Sequence, residues 1–188
     1  MKHIVVIGAG TMGNGIAHTA AASGFDVTLI DVAEAFLDRG MSMIATNLQR
    51  GVDKGKITAD DKQQILGRIR ATSDIAAAAD ADIVIEAIIE NLAAKTQLFA
   101  QLDSLTGADC ILASNTSSIS ITKIAAATKR PDKVIGLHFM NPVPVMAPVE
   151  VIRCLPTRDD TYARGAGLSP PNSQPSIQRQ GYPGFPPN

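Results

Sequence analysis

The chain has 188 residues, 45% of them hydrophobic and 19% charged, with a formal net charge of −1. That is enough chain for one well-buried domain with residues to spare. The balanced charge gives no electrostatic case for nucleic acid or an anionic membrane surface, and no apolar run reaches the roughly eighteen residues of a membrane span.

The chain opens on MKHIVVIGAG, one lysine and then a short apolar run, which is too brief for a signal-peptide core. Cys110 and Cys154 are the two cysteines. They argue against a disulfide framework, fit a reducing cytoplasm, and read as small buried residues. Short apolar runs at 4–7, 27–30, 83–85, 110–113 and 134–137 then alternate with helical patterns. Unbroken apolar runs of this length suit strands covered on both faces, so an α/β, doubly wound, mostly parallel sheet is expected. A weaker strand candidate lies near 69–71. Helical patterns cover 13–23, 92–105 and 121–128, and Gly24 is a plausible stop for the first. Residues 33–68 form a helical-pair insertion, with helices near 33–50 and 59–68, longer than an ordinary crossover needs. The character changes after residue 155. Seven of the eleven prolines fall in 156–188, where neither helical nor strand periodicity is visible, so an irregular tail is expected there. The division is thus 1–155 for the domain and 156–188 for the tail.

The sequence VVIGAGTMGNG places Gly8, Gly10 and Gly13 in the spacing G-x-G-x-x-G between an expected strand and an expected helix. Gly8 permits the tight turn, Gly10 lets a pyrophosphate approach the backbone, and Gly13 allows helix and strand to pack closely. Thr11 and Met12 complete the first helical turn, whose free N–H groups and positive dipole end suit phosphates. Asp31 ends the second strand, twenty-three residues after Gly8. A carboxylate there accepts hydrogen bonds from ribose hydroxyls and repels a 2′-phosphate, which favours NAD over NADP. A helix-capping aspartate is the plainer alternative. The expected architecture is therefore of the Rossmann type. No metal site is assigned.

The segments IGAGTMGNGIA, EAIIENLAAK, ASNTSSISI and HFMNPVPVM…VEVI resemble, in order and spacing, the motifs of the 3-hydroxyacyl-CoA dehydrogenase family. The resemblance covers roughly 1–155 and is nearest to the bacterial 3-hydroxybutyryl-CoA dehydrogenases. It implies NAD-dependent oxidation of an (S)-3-hydroxyacyl-CoA to the 3-ketoacyl-CoA, and the reverse, within fatty acid or butanoate metabolism. By the same resemblance His138 is the catalytic base, a task suited to an imidazole because it titrates near neutral pH. Glu150, on an expected strand, would orient the imidazole and stabilise its cation; an outward-facing strand glutamate is the alternative. Ser117 would hydrogen-bond the substrate oxygen where charge develops, while Thr116 and Ser118 read as caps or turn residues. Glu90, Lys95, Asn115 and Asn141 look like contacts to the cofactor or its vicinity, although Glu90 and Lys95 also fit a solvated pair at a helix start. The helical pair would cover the acyl-CoA, with Lys54 near its phosphates. His3 and His18 match no catalytic position.

The chain also departs from the pattern. The family continues into an all-helical domain that supplies a dimer contact and one wall of the substrate cleft, and residues 156–180 do not keep the expected pattern. YPGFPPN resembles a family segment and puts Asn188 at the position of a further active-site asparagine. In MAPVEV, Ala147 and Pro148 stand where a lysine and a leucine are usual. Two other functions stay open on these residues: a non-catalytic NAD-binding module, and an NAD-dependent 3-hydroxyacid dehydrogenase that does not use CoA.

Overall fold

The computed structural model describes residues 1–143, 149–168 and 178–180. Its strands are β1 (His3–Ile7), β2 (Asp26–Ile30), β3 (Ile69–Thr72), β4 (Ile83–Glu86), β5 (Ile111–Ser114), β6 (Val134–Phe139), β7 (Val149–Arg153) and β8 (Gln178–Gln180). They form one eight-stranded sheet in the order β3-β2-β1-β4-β5-β6-β7-β8. Strands β1 to β6 run parallel, and β7 returns antiparallel to β6. The strand order reverses between β1 and β4, which opens a crevice at their carboxyl ends.

Alternation along each strand feeds two cores, because successive side chains leave opposite faces of a sheet. Ile4, Val6, Leu29, Ile83, Ile85, Ala113 and Ile135 face one side, with Ile16, Ala17, Leu37 and Ile44 packed over them. Val5, Ile7, Val84, Leu112 and Val134 face the other, under Phe99, Leu102, Ile121 and Ile124. Helices α1 (Thr11–Ala22), α2 (Glu34–Asp53) and α3 (Ala59–Gly67) thus cover the first face, while α4 (Leu92–Leu105) and α5 (Ile121–Ala125) cover the second. Burial on both sides explains why the strands read as unbroken apolar runs.

The expected helical pair is α2 and α3. Helix α2 buries Leu37, Gly40, Ile44 and Leu48, a stripe at helical spacing. Helix α3 opens on a capping box in which Thr58 and Asp61 satisfy each other's backbone N–H groups. Both cysteines are free and buried, and burial pushes each thiol upward, so neither is an activated thiolate. Among the described residues, no helix is long and apolar enough to cross a membrane.

Among the described residues after 155, two segments depart from the irregular chain expected there. Helix α6 (Asp159–Ala166) packs there against β6 and β7, and β8 adds to the edge of β7 in parallel. The physical reason for α6 lies in its ends and one face. Asp159 and Asp160 favour its positive N-terminus, Arg164 its last turn, and Thr161 and Gly165 form the buried side. Arg153 also stacks over the Tyr162 ring at 4.9 Å.

Candidate active site

Strands β1 to β6 all deliver their next residues to the same edge of the sheet. The glycine turn follows β1, Asp31 follows β2, Glu90 follows β4, and Asn115 to Ser118 follow β5. His138 is the penultimate residue of β6, and the antiparallel register sets Glu150 of β7 directly opposite it.

The turn has the shape its spacing implies. Gly8 has φ +103°, and a Cβ there would stand 2.5 Å from the Ala87 carbonyl oxygen. A Cβ on Gly13 would stand 1.6 Å from the Gly8 carbonyl oxygen, so helix and strand touch through missing side chains. Gly10 differs: a Cβ there would meet no protein atom within 4 Å. No protein contact demands glycine at that position, whereas a phosphate lying on the backbone does. Among the described residues no side chain caps the first turn of α1, and no acidic residue stands in it. Thr11 is exposed there and Met12 is half-buried against the core. The Ala9 N–H donates to Asp31 Oδ2 at 2.7 Å, which sets that carboxylate beside the turn. An open helix N-terminus, an open glycine and an adjacent carboxylate together fit a dinucleotide.

Beyond β4, around the ends of β5, β6 and β7, three side chains converge. His138 Nδ1 lies 3.2 Å from Glu150 Oε2, and His138 Nε2 lies 3.0 Å from Ser117 Oγ. A carboxylate only accepts, so Nδ1 carries the hydrogen and Nε2 presents a lone pair to the Ser117 hydroxyl. The Glu150 side chain is 9% exposed and the imidazole 22%. The carboxylate is therefore sheltered while the ring reaches the crevice. Asn115 is tied into the same corner, its Oδ1 accepting the Phe139 N–H at 3.0 Å.

Glu90 and Lys95 do not form a solvated pair. Lys95 is fully buried, with Nζ 2.6 Å from Glu86 Oε1 and 3.2 Å from Glu90 Oε2. Glu90 accepts from the Thr116 hydroxyl and, at 2.9 Å, from the Ser118 hydroxyl. Partial burial acts to raise the Glu90 carboxyl. The two hydroxyls and the Lys95 charge outweigh it and hold the group below its ordinary value. Thr116 also caps the following turn by accepting the Ile119 N–H. Glu86 heads the segment EAIIENLAAK but reads there only as the last residue of a strand; its signal is position, nine residues before Lys95 and at the crevice edge of β4.

Other expected site residues lie outside this cluster. Lys54 caps the C-terminus of α2 and is exposed at the tip of the helical pair. Asn141 is exposed three residues past His138. Asn188, Pro144, Ala147 and Pro148 fall outside the described residues.

Comparison with known proteins accords with this geometry. The family described as "3-hydroxyacyl-CoA dehydrogenase, NAD binding domain" matches residues 3–170. A probable 3-hydroxybutyryl-CoA dehydrogenase of Bacillus subtilis is 46% identical over 185 residues, covering 98% of this chain and 64% of the relative. One from Deinococcus radiodurans is 53% identical over 156 residues, covering 83% of this chain and 56% of its own length. The crystal structure of (S)-3-hydroxybutyryl-CoA dehydrogenase from Ralstonia eutropha superposes with a TM-score of 0.94 at 44% identity, across 98% of this chain and 65% of that one. The chain spans a little under two thirds of the length of these relatives at most. It belongs to the 3-hydroxyacyl-CoA dehydrogenase family and carries that family's NAD-binding domain.

Proposed function

We propose that the chain serves the NAD-dependent interconversion of a short-chain (S)-3-hydroxyacyl-CoA, of the 3-hydroxybutyryl-CoA class, and its 3-ketoacyl-CoA. The observation that carries this reading is the Glu150–His138–Ser117 line at the sheet edge that bears the glycine turn. The names of the relatives support the substrate class. The backbone of Gly8 to Gly13 and the Asp31 carboxylate would hold NAD, which supplies the hydride acceptor.

The chain's own residues handle the proton. The Nε2 lone pair takes the proton of the substrate's 3-hydroxyl, in an orientation fixed from behind by Glu150. As the ring becomes positive, the sheltered carboxylate 3.2 Å from Nδ1 stabilises it. The Ser117 hydroxyl, already turned toward this corner, donates to the same substrate oxygen as negative charge grows there. In the reducing direction the imidazolium returns the proton. Asn115 fixes the backbone just past His138 and so limits how far the ring can swing. Lys54, at the tip of the helical pair, supplies a positive charge for CoA phosphates, and Asn141 borders the cofactor side.

Acetoacetyl-CoA and acetoacetate, each offered with NADH, test the substrate assignment. Loss of NADH absorbance with the thioester alone supports the reading. Turnover of free acetoacetate at an equal rate overturns the CoA assignment, and NADH binding without turnover of either points to a non-catalytic module.

A further inference from the structure

The buried ion pair of Glu86 and Lys95 lies behind the crevice, and no step above uses it. Its surroundings show what it touches. Glu86 Oε1 receives Lys95 Nζ at 2.6 Å and the Ile88 N–H at 2.8 Å, while Oε2 receives the Ser114 hydroxyl at 2.6 Å. Its carbonyl accepts the Asn115 N–H at 2.8 Å. The next residue, Ala87, supplies the carbonyl against which Gly8 packs. Lys95 then reaches past Glu86 to Glu90, and Glu90 holds Thr116 and Ser118, the two neighbours of Ser117.

A buried ammonium is costly unless carboxylates compensate it closely. Lys95 is fully buried and has two. That requirement ties Glu90 to a fixed point inside the protein, although its own side chain is 42% exposed. The chain of contacts runs from the β4 terminus through Lys95 and Glu90 to both sides of Ser117. Ser117 itself is exposed and would otherwise sit on a free loop.

We propose that Glu86 and Lys95 are positioning residues, which anchor Glu90 and through it hold Thr116 and Ser118 so that the Ser117 hydroxyl stays in register with His138 Nε2. The proposal rests on the reading of His138 and Ser117 given above.

The test reads the imidazole directly. The chain has three histidines, so long-range ¹H–¹⁵N spectra resolve each ring, and His138→Ala assigns the signals of residue 138. At about pH 8, above the ordinary imidazole range, Ser117→Ala displaces the Nε2 resonance by removing its hydrogen bond. Two further variants leave Ser117 in place: Thr116→Val with Ser118→Ala, and Glu86→Gln with Lys95→Met, which leaves no unpaired charge inside. Both are expected to move Nε2 most of the way to its position in Ser117→Ala while the melting temperature reports a folded chain. A merely structural pair lowers the melting temperature and leaves the resonance in place. Should the Glu86/Lys95 variant not fold, Lys95→Met alone, in which Glu86 keeps the Ile88 N–H and the Ser114 hydroxyl, is read in its place. Folded variants with Nε2 at its wild-type position, alongside a displaced Ser117→Ala, overturn the positioning role and spare the catalytic reading. An unmoved resonance in Ser117→Ala overturns the contact itself, and the proposal with it.

Discussion

At the scale of single residues, the account turns on where hydrogens can go. Glu150 can only accept, so His138 has one usable lone pair, and it points to the crevice. In the proposed cofactor site Asp31 would act by charge as well as by acceptance. Asp31→Ala should erode the preference for NADH over NADPH by about ten- to a hundredfold, the worth of a hydrogen bond to a charged group. Comparing the two dissociation constants checks this, and an unaltered ratio removes Asp31 from the cofactor site. His18 gives a pH prediction. It is 9% exposed, its Nδ1 meets no partner among the described residues, and burial lowers its pKa. The folded chain therefore holds this proton less tightly than the unfolded chain does. Stability should fall as pH drops through the ordinary imidazole value of about 6.5 toward the lowered one. In His18→Gln this part of the melting-temperature profile should flatten.

Among elements, the glycine turn and α1 separate structure from ligand. Gly13→Ala forces a Cβ onto the Gly8 carbonyl and should cost about 1–3 kcal/mol or more. Gly10→Ala meets open space and keeps φ at −64°, so its stability should change by no more than about 0.5 kcal/mol, while NADH binding weakens. Thermal melts paired with NADH titration distinguish the two, and equal loss of stability in both contradicts the assignment. These elements were also the most legible ones. The runs at 4–7, 27–30, 83–85, 110–113 and 134–137 became β1, β2, β4, β5 and β6 because double-sided burial leaves an unmistakable apolar pattern. Helix α6 was not legible, because the proline-rich composition over 156–188 masked Asp159, Asp160, Arg164 and Gly167, which are ordinary start and stop signals. The burial of Lys95 was hidden for a different reason. A glutamate and a lysine near a helix start look solvated, and what reverses that is Glu86, a partner supplied by the neighbouring strand.

Across the whole molecule, the parallel sheet brings segments far apart in sequence to one edge. The glycine turn, Asp31, Ser117 and His138 share no local pattern, yet each follows or ends a strand that terminates on the same side. A motif reading names such residues one at a time; only the register of β6 against β7 sets His138 opposite Glu150. The most direct measurement is the rate at which acetoacetyl-CoA consumes NADH in His138→Ala beside the unaltered chain, with NADH affinity recorded for both. Loss of the general base should slow turnover by roughly 10²- to 10⁴-fold while the cofactor still binds. An unchanged rate in the variant would contradict the role given to His138 and the proton path built on it.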